Sequence, residues 1–201
     1  MDSGSPPDEV VLRDGTSLEV RPIRPTDADA LVALHARLSA DTIYRRYFGV
    51  RPHLAPADVD RFTQVDGRAR FALVALRGPD LVAVARYEGR PGQRSAELAV
   101  VIDDALQHQG VGRLMLERLL DVAREAGLDT IEADVLAGNA AMLGLLRRLG
   151  LPQRRETDGE TASVSIDLTA AELPPERLER ARAHLAQAGR STAGHGDGPP
   201  A

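Results

Sequence analysis

Apolar positions along the chain follow two different periods. Short apolar or alternating runs predict strands at 10–12, 18–23, 71–76, 81–87, 95–102 and 130–136, and a terminal hairpin over 153–167. Apolar residues three or four positions apart predict helices at 26–38, 39–47, 56–64, 111–126 and 140–149. This order predicts a mixed α/β fold. The strands on either side of helix 111–126 should be parallel, joined by a right-handed crossover.

Composition excludes several classes of protein and of chemistry. With 201 residues and 43% hydrophobic content, the chain can form one soluble globular domain. The net charge of -5 argues against nucleic-acid binding. No cysteine is present, which excludes disulfides and a thiol nucleophile, and no His and carboxylate spacing predicts a metal site. No apolar run reaches the length of a membrane span and no signal peptide begins the chain, so we expect no membrane association and a cytoplasmic location.

The segment with the most distinctive pattern is VVIDDALQHQGVGR, residues 100–113. A strand ends at Ile102, a short loop follows, and a helix begins at Gly110 and Gly112. Unpaired N–H groups and the helix dipole attract an anion to a helix N-terminus, and glycine leaves room for it. We therefore predict that residues 107–113, named the cradle below, bind a pyrophosphate. The alternative is that the glycines only make the start of the helix more flexible and that no ligand binds there.

Two common phosphate motifs do not fit the cradle. A Walker A loop needs a lysine, and the chain has none; a dinucleotide fingerprint needs a third glycine where Met115 stands. The remaining pattern, Gln107, Gly110 and Gly112 after a strand and at a helix start, resembles the acetyl-CoA site of the GNAT superfamily of N-acetyltransferases. The order of elements over roughly residues 18–168 is similar to the GNAT fold. This resemblance implies a central, mostly antiparallel twisted sheet flanked by helices, with one parallel strand pair at the cofactor site.

A closer resemblance rests on longer runs. RPIRPTDADAL, TIYRRYF, RFTQVD, and AELAVVIDD with QHQGVG resemble the catalytic domain of Pat-type bacterial protein lysine acetyltransferases. That domain is often fused to a cyclic-nucleotide-binding or acyl-CoA-synthetase-like module. Because few residues precede the first predicted strand, we expect a free-standing catalytic domain.

The resemblance implies acetyl-CoA as co-substrate and a set of binding residues. The backbone of Val100 and Ile102 would pair with pantetheine, and the Val100 N–H would donate to the oxyanion. The N–H groups of residues 109–113 would hold the pyrophosphate. The full implied binding set is Val100, Val101, Ile102, Gln107, His108, Gln109, Gly110, Val111, Gly112, Arg113 and Asn139.

Individual residues keep alternative interpretations. The resemblance makes Glu97 the general base, acting through water, although it could be an ordinary exposed strand residue. Asn139 would contact the cofactor, cap the next helix, or do both. Arg113 could be a solvated helix-start arginine, and His108 more simply faces solvent or phosphate. Many superfamily members have a tyrosine acid where this chain has Leu146, so that acid is in doubt here.

The predicted function is transfer of acetyl from acetyl-CoA to a protein lysine ε-amine, by direct attack in a ternary complex. The alternatives are a small-molecule amine N-acetyltransferase and a non-catalytic acyl-CoA-binding module. The sequence gives no oligomeric state.

Four segments are predicted along the chain. They are a flexible tail at 1–9, a GNAT acetyltransferase domain at 10–168, a polar C-terminal helix at 169–188 and a disordered tail at 189–201. The polar helix would dock lightly on the domain. Alternatively, it would cover the acceptor groove or contact a partner.

Overall fold

The computed structural model describes residues 8–170 and 172–193. Its elements in chain order are β1 (Asp8–Val11), β2 (Ser17–Pro22), α1 (Ala28–Arg37), α2 (Ala40–Tyr47), α3 (Pro56–Thr63), β3 (Arg70–Arg77), β4 (Asp80–Gly89), β5 (Ser95–Ile102), α4 (Val111–Glu125), β6 (Thr130–Leu136), α5 (Ala140–Arg147), β7 (Gln153–Asp158), β8 (Thr161–Asp167) and α6 (Pro175–Ala193). Of the predicted tails, residues 1–7 and 194–201 lie outside the described residues. No helix in the described part is long and apolar enough to cross a membrane.

All eight strands form one sheet in the order β1-β2-β3-β4-β5-β6-β8-β7. Every neighbouring pair is antiparallel except β5 and β6, which are parallel and joined through α4. The predicted fold class is therefore confirmed. The parallel pair requires a crossover, and α4 supplies it because its buried stripe packs against the sheet.

Helices cover both faces of the sheet and enclose two cores. The larger core lies on the α4 face. The helical period predicts a buried stripe of Val111, Met115, Leu119, Val122 and Ala126; the first four are fully buried, and Ala126, just past the end of α4, is half-buried. Burying each of these larger side chains contributes about 1.5–3 kcal/mol. The smaller core packs α1 against β3 and β4 on the opposite face. On that opposite face, α2 is the described helix that has substantial contacts with β5. No described helix on this face has substantial contacts with β6.

The C-terminal helix packs more closely than its polar sequence predicts. It lies against α4 and β2, and it buries Ala181, His184 and Ala188. Arg177 donates two hydrogen bonds to the buried carboxylate of Asp121 on α4, at 2.9 and 2.6 Å. The prediction that this helix docks only lightly on the domain is therefore wrong, because its small residues allow a close approach to α4 and β2. The helix also continues to Ala193, past the predicted end at residue 188.

His184 of α6 is buried beside charged groups from three elements. Its Nε2 lies 3.7 Å from Asp8, which also accepts hydrogen bonds from Arg118 of α4. The pKa of His184 is lowered to about 4, mainly by burial. The charges of Arg118 and Arg180 also lower it, whereas Asp8 raises it. The imidazole is therefore neutral in the folded protein at neutral pH.

We expect His184→Gln to flatten the loss of stability in mild acid. Between pH 6.5 and about 4, the unfolded chain binds a proton at this position and the folded chain does not, so stability falls as pH falls. The effect is about 2 to 3 kcal/mol across that window. Urea unfolding between pH 4 and 7 measures it. His53→Gln is the control because His53 is exposed; a slope unchanged by His184→Gln contradicts the assignment.

Candidate active site

The two parallel strands diverge beside the cradle. Residues 95–97 of β5 pair with residues 130–132 of β6. In this fully described part of the chain, no pair joins 98–102 to 133–136. The second half of β5 therefore has a free backbone edge. A free edge can pair with another extended group, which is how sheets bind peptides.

The backbone groups of β5 alternate between β4 and this gap. The Asp103 N–H donates to the Val82 carbonyl on the β4 side, whereas the Ile102 carbonyl accepts from the Gln107 side chain on the other side. Because successive strand residues direct their polar groups to opposite sides, the Val100 N–H points into the gap, like Ile102. The orientation that an oxyanion donor needs is thus available at Val100.

Glycine is needed at the two cradle positions for different physical reasons. Gly110 has a φ of +91°, where L side chains are strained, and a Cβ there would meet no atom within 4 Å. A Cβ on Gly112 would come within 2.9 Å of Ile102 Cδ1 and 3.0 Å of Leu145 Cδ2. Gly110 therefore turns the chain and leaves the space in front of the helix open. Gly112 instead allows α4 to approach β5 and α5.

The gap and the cradle line one continuous cleft of about 950 Å³. Eleven of the predicted site residues line it: Glu97, Val100, Val101, Ile102, Gln107, His108, Gln109, Gly110, Gly112, Arg113 and Asn139. The exception is Val111, whose side chain is fully buried in the core. Only its backbone N–H, in the first turn of α4, could face an anion.

Several of these side chains already have partners in the protein. Asn139 Oδ1 accepts from the Met142 N–H at 3.1 Å and so caps α5. Arg113 is exposed and forms an ion pair with Glu117 at 2.8 Å. His108 is exposed, with a φ of +63°. Asn139 is thus a helix cap, Arg113 is a solvent-exposed arginine and His108 faces solvent. All three side chains also line the cleft.

Gln107 belongs to a polar network that joins the cradle loop to α2. Asp104 accepts from the Ser39 N–H at 2.8 Å, the Ser39 hydroxyl at 2.9 Å and the Thr42 hydroxyl at 2.6 Å. Gln107 Nε2 lies 3.1 Å from Thr42 Oγ1 and 3.2 Å from Asp104 Oδ1. Burial raises the pKa of Asp104, but the hydrogen bonds from Thr42 and Ser39 outweigh it, so the pKa is below its ordinary value.

We expect Asp104→Ala to destabilise the fold by about 1 to 2 kcal/mol, because it leaves several donors without their acceptor. The KM for acetyl-CoA should rise several-fold, since the loop before the cradle loses its anchor on α2. Urea unfolding and initial rates at varied acetyl-CoA measure the two effects. Asp158→Ala, at an exposed position of β7 that lines neither cleft, is the control. An unchanged KM would show that the network does not position the cradle.

A second cleft of about 660 Å³ opens on the same side of β5 as α2 and α3. Glu97, Ala99 and Arg46 line both clefts, so the two meet at the middle of β5. Glu97 is paired across the sheet with Glu88 on β4 and Glu132 on β6, and its side chain is exposed. A carboxylate at this junction can contact groups from both clefts.

Other side chains near the clefts have clear positions in the structure. Leu146 is fully buried, so no leaving-group acid comes from that position. Tyr47 lines the second cleft, whereas Tyr44 is exposed and lines neither. His35 is buried, with Nε2 2.8 Å from the Arg51 carbonyl, which is a structural contact. Among residues 8–170 and 172–193, no group of three or more His, Asp or Glu side chains could hold a metal ion.

Sequence reasoning missed the arginines of the second cleft. Arg46 belongs to the run TIYRRYF, and Arg86 lies in an apolar strand. Arg86 is 5% exposed, and its Nη2 has no hydrogen-bond partner among the described residues. A charged residue inside an apolar strand was the available signal, because buried arginines need a partner.

The similarity of the chain to known proteins identifies it as an N-acetyltransferase with this fold. It belongs to the GNAT acetyltransferase family, because the family model described as acetyltransferase (GNAT) domain matches residues 17–152. An acetyltransferase of Pseudomonas aeruginosa is 31% identical over 157 residues, which are 76% of this chain and 84% of that protein.

Two further relatives are Pat proteins. The acetyltransferase Pat of Mycolicibacterium smegmatis is 30% identical over 173 residues, which are 84% of this chain, and the chain spans 50% of the length of that protein. The crystal structure of the GNAT domain of S. lividans PAT has a TM-score of 0.75 at 35% identity, covering 80% of this chain and 96% of that one. The resemblance to the Pat catalytic domain is therefore confirmed.

Proposed function

We propose that the chain transfers acetyl from acetyl-CoA to the ε-amine of a protein lysine, by direct attack in a ternary complex. The observation that carries the proposal is the meeting of the two clefts at Glu97: one offers a free strand edge and a cradle, and the other an open polar groove in which an acceptor could lie. The Pat relatives favour a protein lysine over a small amine, and the relatives named acetyltransferases favour an enzyme over a binding module. The cytoplasmic location expected from the sequence stays a prediction.

The cradle residues fit the pyrophosphate of acetyl-CoA. The open space in front of Gly110 would accept it, and the first-turn N–H groups of α4 supply donors that lack intrahelical partners. The free edge of β5 at Val100 and Ile102 would pair with the amide groups of pantetheine. Arg113 would add positive charge at the mouth of the cleft.

Transfer requires a neutral amine and a stabilised oxyanion. An alkyl ammonium with a pKa near 10 is neutral in only about one molecule in a thousand at pH 7. Glu97 would accept the proton of the amine through a water molecule, which suits its exposed position at the junction. The amine then attacks the thioester carbonyl to form the C–N bond, and the Val100 N–H donates to the oxyanion. The C–S bond breaks to release the CoA thiolate, and the nitrogen gives up its remaining extra proton to solvent as the amide forms.

The test is CoA release from acetyl-CoA with a panel of acceptors, with product masses recorded. The panel contains lysine-bearing proteins, lysine peptides and small amines. The chain has no lysine of its own, so an acetylated lysine must belong to the acceptor. A gain of one acetyl on a protein lysine supports the proposal. Release with small amines only would overturn the protein acceptor and favour the small-molecule enzyme.

A further inference from the structure

The second cleft has more arginines than carboxylates. Its lining contains Arg46, Arg51, Arg61, Arg86 and Arg90 against Asp58, Glu88, Glu97 and Glu132. Two of its arginines have acidic partners: Arg51 lies 3.3 Å from Asp58, and Arg61 lies 2.5 Å from Glu88. Two others, Arg86 and Arg46, are poorly paired. On β5 and β6, Glu97 and Glu132 have no arginine partner within ion-pair distance among the described residues.

Arg86 has the least satisfied buried guanidinium in the cleft. Its side chain is 7% exposed, its Nη2 is buried without a hydrogen bond, and no other hydrogen bond from it is present in the described chain. Its Nη2 forms an ion pair with Glu88 Oε2 at 3.6 Å, which is too long for a hydrogen bond, while Oε1 of the same carboxylate accepts two hydrogen bonds from Arg61. Burial lowers the pKa of Arg86 to about 10, so it remains charged at neutral pH.

Arg46 is half-buried on α2 and lines both clefts. Its guanidinium lies over the Tyr47 ring, 4.9 Å from the centroid, and it has no ion pair or hydrogen bond among the described residues. Burial lowers its pKa, whereas the nearby charges of Tyr47 and Glu97 raise it. A buried cation without an anion is unfavourable unless a ligand supplies the anion.

The register of the sheet relates these arginines to the candidate base. Arg86 is opposite Ala99, and Glu88 is opposite Glu97, so Arg86 lies one strand away from Glu97 and two residues further along. Diagonal neighbours of this kind are about 7–8 Å apart on one sheet face. An acceptor could therefore place an amine at Glu97 and an anionic group at Arg86 at the same time.

We propose that Arg86 and Arg46 bind a carboxylate of the acceptor, so that the preferred amine has an acidic group close by. This rests on the proposed function, and it specifies the substrate as a lysine next to an aspartate or glutamate in a peptide. A free amino acid would supply the same chemistry through its α-carboxylate. Planar guanidinium groups bind carboxylates through two parallel hydrogen bonds, which the Nη2 of Arg86 can begin.

The test uses two matched pairs of acceptors. One pair is a lysine peptide with glutamate next to the lysine and the same peptide with glutamine there. The other pair is free lysine and 1,5-diaminopentane, which lacks the carboxylate. Both kcat/KM for acetylation and the Kd in the presence of CoA are measured, because the Kd does not depend on turnover. We expect the carboxylate member to be preferred at least about tenfold, since it gains charged hydrogen bonds.

Three variants of the full chain assign the preference to these arginines. Arg86→Gln and Arg46→Gln should each bring the ratio within a pair close to one. Arg154→Gln, on β7 outside both clefts, should keep the preference. Arg46→Gln keeps the test decisive if Arg86→Gln fails to fold, because Arg46 is only half-buried.

The outcomes separate this proposal from the proposed function. If no peptide is acetylated but free lysine binds more tightly than diaminopentane in an Arg86-dependent way, the carboxylate site stands and the protein acceptor is wrong. If peptides are acetylated with equal kcat/KM and equal Kd within each pair, the carboxylate site is wrong. A preference that survives both Arg86→Gln and Arg46→Gln also overturns it.

Discussion

Replacing Glu97 with glutamine should lower kcat for a lysine acceptor by about 10²- to 10⁴-fold, the range that general-base catalysis supplies. Glutamine has nearly the shape of glutamate but cannot accept the proton of the ammonium group. Binding of acetyl-CoA should change little, because the cradle and the free edge of β5 stay intact. Steady-state rates with saturating acetyl-CoA measure the loss.

The pH profile tells loss of a base apart from structural damage. The remaining activity of Glu97→Gln should rise about tenfold for each pH unit up to pH 9, because the fraction of neutral amine rises by that factor. Glu156→Gln is the matched control, since Glu156 lies on β7 and lines neither cleft. If Glu97→Gln has the kcat of the unchanged protein at pH 7, Glu97 is not the base, although the cofactor site would stand.

Replacing Gly110 with valine should raise the KM for acetyl-CoA by about 100-fold or more, because a helix N-terminus loses both its geometry and the space for the anion. The φ of +91° is strained for a β-branched residue, and the new side chain projects into the cleft. We also expect a loss of about 1 to 2 kcal/mol in the free energy of unfolding. Initial rates and urea unfolding measure the two effects.

Gly127→Val is the matched control for this change. Gly127 follows the other end of α4, with a φ of +90° and open space around a Cβ, and it lines neither cleft. Both variants should therefore lose similar stability, but only Gly110→Val should weaken the binding of acetyl-CoA. Equal KM values for the two variants would show that the cradle is a structural turn and holds no pyrophosphate.

Local patterns predicted the order of the elements, and the family resemblance supplied the architecture of the sheet. The apolar period identified the strands and helices, and a strand, helix and strand in sequence required the parallel pair of β5 and β6. The buried stripe of α4 was correct at four of its five positions, because one face of a helix is fixed by spacing alone. The resemblance of the loop to a known motif added the positions of Gln107 and Gly110.

Long-range contacts were the part that the sequence did not reveal. Asp104 and Thr42 are 62 residues apart, and no local period brings their side chains together. The burial of Arg86 depends on α3 and on Phe62, whose ring lies 4.4 Å from its guanidinium carbon. The role of Gly112 likewise depends on the approach of α5, and the polar sequence of α6 hid its small buried residues.

The most direct measurement is a calorimetric titration of the full chain with acetyl-CoA, repeated for Gly110→Val and Gly127→Val. The central claim is that the cleft between β5, β6 and the cradle holds acetyl-CoA. It predicts one site per chain, lost or strongly weakened in Gly110→Val and retained in Gly127→Val. No binding of acetyl-CoA to the unchanged chain, or equal binding by both variants, would contradict it.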